Sequence, residues 1–156
     1  RLAAVSNVRG LIRRRAMYRK ILVAVEDSAA DRTILDHVRQ LATLTNAEVL
    51  LVHVADGFAA RHFNDLQLRE SEEIKADRAY LEKCAASLPG LRVSTELAMG
   101  DPPHQLIRLV EERKADLLAM STHGHRFVKD VIYGSVANEV RHMTSVPVLL
   151  VRGEAA

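Results

Sequence analysis

The residues Ser121-Thr122-His123-Gly124-His125-Arg126-Phe127-Val128-Lys129-Asp130-Val131-Ile132-Tyr133-Gly134-Ser135 decide how the chain is read. Before them stands a short apolar run, Asp116-Leu-Leu-Ala-Met120, with the length and composition of a buried strand. After them comes a helical pattern from Val136 to His142. Strand, long glycine-bounded loop and helix start together make a geometry that holds anions. The first N–H groups of a helix have no intrahelical partner, and the helix dipole favours negative charge there. Glycines at the loop edges let the backbone approach a ligand closely. The stretch therefore reads as a loop that binds the phosphates of a nucleotide.

Upstream, Ile21-Leu-Val-Ala-Val25 and Val49-Leu-Leu-Val-His-Val54 are continuous apolar runs, as expected for strands buried on both faces of a parallel sheet. Between them Ser28 is a good N-cap with Asp31 three residues on, a near capping box, and Ile34, Val38, Leu41 and Ala42 follow at helical spacing as far as Asn46. The acids Glu26 and Asp27 lie directly after the first strand; Asp27 and Ser28 serve as caps in one reading and the acids as ligand contacts in the other. His53 closes the second strand and reads as a hydrogen-bonded structural histidine. Residues 55–66 are looser. A helix from about Gln67 to Leu88 carries Ile74, Leu81, Cys84, Ala85 and Leu88 on one face and ends at Pro89-Gly90. Arg92 to Ala98 alternates, with Val93, Thr95 and Leu97 inward, which marks an edge strand. Asp101 caps the next helix, Pro102 suits its first position, and Leu106, Ile107 and Val110 form its buried stripe. Last come a helix from about Ser135 and the strand Val146-Pro-Val-Leu-Leu-Val151, where Pro147 fits a strand start or an edge.

This order, β-α-β-α-β-α-β-α-β, implies a mostly parallel sheet covered by helices. Ligands of such sheets bind at the carboxyl ends of strands where the winding reverses. With the first and fourth strands as neighbours, Glu26–Ser28 and the loop 121–134 flank one crevice. Other chemistries find little footing. The chain lacks a G-x-x-x-x-G-K-[ST] loop and a G-x-G-x-x-G after the first strand. Its Cys and His residues do not fall at zinc spacing. His123 and His125 would point oppositely on an extended segment, which disfavours a shared metal. Ser121, Ser135 and their neighbouring histidines are not set in a G-x-S-x-G elbow, and that disfavours a hydrolase.

The single cysteine, Cys84, excludes an internal disulfide and reads as a small core residue in a reducing compartment. No apolar run approaches the ~18 residues of a membrane span. The formal charge of +2 hides an asymmetry, because residues 1–16 carry five arginines and no acid. From Met17 onward 17 basic residues face 20 acidic ones, giving −3, so a general nucleic-acid footprint is absent. Residues 1–16 read as a disordered or non-native leader, with a transit peptide as the other reading. Residues 17–152 are the single expected domain and 153–156 a tail.

In its order of motifs the chain resembles the universal stress protein family. The nucleotide-binding members carry G-x2-G-x9-G-[ST] after the fourth strand, and here Gly124, nine residues, then Gly134-Ser135 match that spacing. Ile21 to Val25, His53-Val54, Gly100-Asp101-Pro102, Ser121-Thr-His-Gly124 and Pro147 to Val151 match in order beside it. The resemblance implies an α/β fold with a five-stranded parallel sheet of order 3-2-1-4-5, helices on both faces, usually dimeric. It implies binding of ATP or AMP, with cyclic AMP a further candidate and Mg accompanying ATP. Carried over by position, Ala24 and Glu26 line base and ribose, and Val54 meets adenine through its backbone. Met120 and Ser121 begin the phosphate loop, while Gly124, Gly134, Ser135, Val136 and Ala137 hold phosphates, mainly by backbone N–H. His125 and Arg126 are this chain's own candidates for side-chain charge near the phosphates.

Two positions depart from the family pattern. Ser121 stands where the first glycine is usual; if that position needs φ > 0 or a tight phosphate approach, serine costs of order ~1 kcal/mol there or blocks it. Glu26 stands where aspartate is usual, and its extra methylene moves the carboxylate by about 1.5 Å, enough to lose a ribose hydrogen bond. Asp27, one residue later, should point elsewhere. The functional expectation is an adenine-nucleotide-binding stress-response or regulatory module, cytoplasmic, with an unidentified protein partner and at most weak ATP hydrolysis. A nucleotide-independent interaction module and a slow ATPase are the alternatives. Val148 to Val151, apolar on both faces yet at a sheet edge, is expected to pair with its copy in a homodimer.

Overall fold

Ile21, Leu22 and Val23 are wholly buried because strand β1 (Lys20–Ala24) is the middle strand of the sheet. The computed structural model describes residues 17–55, 72–122 and 131–153. After β1 come α1 (Ala30–Thr45), β2 (Glu48–Ala55), α2 (Glu72–Ala86), β3 (Val93–Met99), α3 (Pro102–Arg113), β4 (Leu117–Thr122), α4 (Val131–Met143) and β5 (Val148–Arg152). The five strands form one parallel sheet in the order β3-β2-β1-β4-β5, as expected. The winding reverses between β1 and β4, so the crevice expected at the carboxyl ends of those strands has its topological basis.

Side-chain alternation divides the core between the two faces of the sheet. Ile21 and Val23 of β1, with Val49, Leu51, Leu117 and Ala119, pack on Ile34, Leu35, Val38 and Ala42 of α1 and on Leu81 and Cys84 of α2. Leu22, Leu50, Val52, Leu118 and Met120 face the other way, onto Leu106, Leu109 and Val110 of α3 and Val136, Ala137 and Val140 of α4. Apolar residues at every strand position are needed because both faces are covered. Cys84 is buried as a small core residue, and burial pushes its thiol above the ordinary range. At the amino ends of the strands, the Asp116 carboxylate accepts the N–H groups of Arg19 and Lys20, each at 3.0 Å, and so ties the start of β4 to the start of β1.

Local expectations are modified in four places. Helix α1 starts one residue later than a Ser28 cap implies, with Ala29 at the N-cap and no side chain bonded to it. Ser28 still takes part, since its hydroxyl accepts the Ala30 N–H at 3.2 Å. Asp31 completes the returning half of a capping box, accepting the Ser28 N–H at 3.2 Å. In β3, Thr95 is exposed although the alternation placed it inward, because an edge strand is only partly covered. In α3, Leu109 is wholly buried, whereas Ile107 is only partly so. Helix α4 begins at Val131, four residues before the start read from the sequence. The first part of the helix expected from Gln67, and the leader 1–16, lie outside the described residues.

Candidate functional site

At the carboxyl ends of β1, β2 and β4 a cleft, partly open to solvent, lies between the sheet and the start of α3. Ala24 and Glu26 line it from β1 and the turn that follows, Val54 from β2, Met120 and Ser121 from β4, and Val136 from α4. All six were singled out in the sequence, and the parallel sheet brings them together although they span more than a hundred residues of chain. Ala137 does not line the cleft; it is buried in the cluster beneath α3 and α4. Ser135 is exposed on α4, and Gly134 stands in the first turn of that helix. Because α4 starts at Val131, the N–H groups of Ser135, Val136 and Ala137 fall where a helix uses its own donors, beyond the unpaired first turn. Gly124, His125 and Arg126 lie outside the described residues.

The floor is apolar, and its polar features are few. Glu26 Oε1 accepts the Ser28 hydroxyl at 3.2 Å and the Ser121 hydroxyl at 3.4 Å. Ser121 is only 8 % exposed, and its hydroxyl has its acceptor in that carboxylate. His53 also lines the cleft. Its Nδ1 lies 2.9 Å from the Val25 carbonyl, which can only accept, so Nδ1 carries the proton. Nε2 lies 3.5 Å from the Asp77 carboxylate on α2. The structural reading of His53 therefore holds, and the residue borders the site as well; its place at the carboxyl end of a central strand was the available signal. Val25, Val52, Pro102 and Leu106 complete the lining. The two from α3 could not be assigned from sequence, because only the packing of α3 over β2 sets them there.

The turn after β1 is built around Asp31. Its carboxylate is 2 % exposed and accepts the N–H groups of Glu26 and Ser28 and the Tyr80 hydroxyl from α2. Three donors satisfy a group that would otherwise be costly to bury. Burial, and then the hydrogen bond to Asp31, push the Tyr80 phenol far above its ordinary range. Between the two N–H groups stands Asp27 with φ 55, a left-handed conformation that aspartate tolerates better than most residues. That kink turns Asp27 away from the cleft and into a separate groove between α1 and α2, as expected for the residue after Glu26. Among the described residues no three His, Cys, Asp or Glu side chains are grouped to hold a metal ion. The arrangement suits binding: an apolar slot for a flat group, with one carboxylate at its mouth to accept hydroxyls.

A family model described as the universal stress protein family matches residues 17–152. Universal stress protein MJ0577 of Methanocaldococcus jannaschii is 28 % identical over 156 residues, covering 87 % of this chain and 96 % of that protein. Its solved structure superposes with a TM-score of 0.70 at 26 % identity, over 90 % of this chain and 99 % of that one. A universal stress protein from Archaeoglobus fulgidus in complex with dAMP superposes with a TM-score of 0.64 at 21 % identity, over 85 % and 97 %. Another, in complex with cAMP, gives 0.63 at 22 %, over 86 % and 96 %. At these identities the last two speak for the fold.

Proposed function

The chain belongs to the universal stress protein family, and on that premise we propose that it binds an adenine nucleotide in the cleft at the carboxyl ends of β1, β2 and β4. The observation that carries this reading is the convergence of Ala24, Glu26, Val54, Met120, Ser121 and Val136 on one apolar slot at the topological switch point. The base lies against Ala24, Val54 and Met120, and Glu26 accepts ribose hydroxyls. The phosphates extend toward the first turn of α4, with Gly134 and the Ser135 hydroxyl, and toward Gly124, His125 and Arg126. Proteins of the same fold that hold cAMP and dAMP support the adenine assignment. AMP, ATP with Mg, and cyclic AMP are the ligands to test.

The module acts as a homodimer that signals a stress or regulatory state to a protein partner. Strand β5 is an edge with Leu150 40 % exposed, and pairing with a second β5 removes that liability. No helix among the described residues is long and apolar enough to cross a membrane.

The test is direct. The purified protein is denatured and the released small molecules are chromatographed, and ATP, AMP and cyclic AMP are titrated into the stripped protein by calorimetry. Recovery of an adenine nucleotide, or binding lost in Gly134→Val, supports the reading. No released nucleotide and no binding heat with any of the three would leave only a nucleotide-independent interaction module.

A further inference from the structure

Glu26 reaches the cleft from a turn, yet its carboxylate is held from two sides. Ser28 and Ser121 both donate to the same oxygen, Oε1, at 3.2 and 3.4 Å. The two hydroxyls come from separately fixed elements. Ser28 is anchored by its N–H to Asp31 and by the Ala30 N–H that its hydroxyl accepts. Ser121 belongs to β4, where it pairs with Val151 of β5, and its backbone is free of left-handed φ. Each hydroxyl has one proton to give, and both give it to Glu26. The bridge Ser28–Glu26–Ser121 thus joins the turn after β1 to the end of β4 across the mouth of the cleft.

A glutamate on a turn otherwise loses rotamer freedom when a ligand orders it, and a carboxylate held beforehand avoids that loss. We infer that Ser121 is a positioning residue, and that its hydroxyl, together with that of Ser28, presets the Glu26 carboxylate to accept the hydroxyls of a bound ribose. This rests on the nucleotide reading above. It assigns to the side chain of Ser121 a role in sugar selectivity, separate from any part its backbone plays toward phosphate.

The experiment measures calorimetric affinities of AMP, 2′-deoxy-AMP and 3′-deoxy-AMP for the full chain and for Ser121→Ala, Glu26→Gln, the double variant and Ser121→Thr. The wild type should prefer AMP to at least one deoxy form. Ser121→Ala should reduce that preference roughly 3- to 10-fold, a modest effect in keeping with a long hydroxyl–carboxylate contact. The double variant should lose no more than the worse single variant, since both remove one unit. Ser121→Thr, which keeps the hydroxyl, should keep the preference. A purely structural role would weaken AMP and the deoxy forms alike and lower the melting temperature. An unchanged preference in Ser121→Ala, additive losses, or no preference in the wild type would overturn the inference while leaving nucleotide binding intact. A wild type that binds none of the three would overturn the inference, and if it also fails to bind ATP and cyclic AMP the nucleotide reading falls with it.

Discussion

The Ser121 hydroxyl stands 3.4 Å from Oε1 of Glu26, so two residues 95 positions apart in the chain meet at the mouth of the cleft. A serine there brings no backbone strain, because the non-glycine residues of positive φ among those described are Asp27, Asn46 and Lys114. Of the conditions that would make Ser121 costly, a left-handed backbone is therefore not met. Ser121→Gly should lower stability by about 0.5–1 kcal/mol, from chain entropy in a strand, rather than relieve anything. Urea unfolding measures it, and a gain in stability would show that the site does ask for glycine.

Leu150 is the exposed apolar residue of β5. If β5 pairs with its copy, Leu150→Lys should convert the dimer to monomer in sedimentation velocity, since lysine on an edge strand opposes pairing. Circular dichroism should stay unchanged. A dimer that survives the substitution would place the subunit contact elsewhere.

Tyr80 links α2 to the turn that carries Glu26, through Asp31. Tyr80→Phe leaves the buried carboxylate with one donor fewer and should cost about 1–3 kcal/mol. The phenol is raised above its ordinary value of 10.0 by burial and by Asp31. A raised pKa means its contribution is present below pH 10 and is lost as pH climbs through the folded value. Alkaline unfolding above pH 10 should therefore be shallower in Tyr80→Phe than in the wild type. Parallel curves would contradict the assignment.

His104 Nδ1 bonds the Asp101 carboxylate, which also accepts the His104 N–H at the start of α3. That carboxylate, chiefly by its hydrogen bond, raises the imidazole above its ordinary 6.5, with Glu139 adding in the same direction. In return the imidazole hydrogen bond lowers Asp101 below 3.8. The histidine contribution is full below pH 6.5 and fades as pH rises through the raised value. The aspartate contribution is present above pH 3.8 and fades as pH falls through the lowered one. The NMR titration midpoint of His104 should lie above 6.5 and fall in Asp101→Asn; a midpoint indifferent to that change would refute the pairing.

Gly153, assigned to the tail by the sequence, donates its N–H to Thr122 at 2.8 Å and lies against the first turn of α1. A Cβ there would stand 2.5 Å from the Ala30 Cβ and 3.0 Å from its Cα. Gly153→Ala should lower stability by about 1–3 kcal/mol, and Ala30→Gly in the same chain should recover part of it in urea titrations. An unaffected Gly153→Ala would mean that the contact yields freely.

The chain itself determined the fold. Continuous apolar runs at 21–25, 49–54 and 117–120 are tolerable only where helices cover both faces of a parallel sheet, and Gly and Asn residues mark the helix ends. The family resemblance of its motifs, carried over by position, also named six of the residues that line the cleft, five of them at or just after the carboxyl ends of central strands. Tertiary packing alone decided the rest. Pro102 and Leu106 enter the site because α3 crosses β2, and Asp31 becomes a buried hub because Tyr80 arrives from a helix 49 residues away. The sequence set Glu26 and Ser121 on one crevice, but the contact of hydroxyl with carboxylate between residues 95 apart in the chain came only from packing. Periodicity reports which face of its own element a residue occupies. Which side chain of another element reaches it depends on register and on the height at which helices dock, and single-residue spacing carries neither.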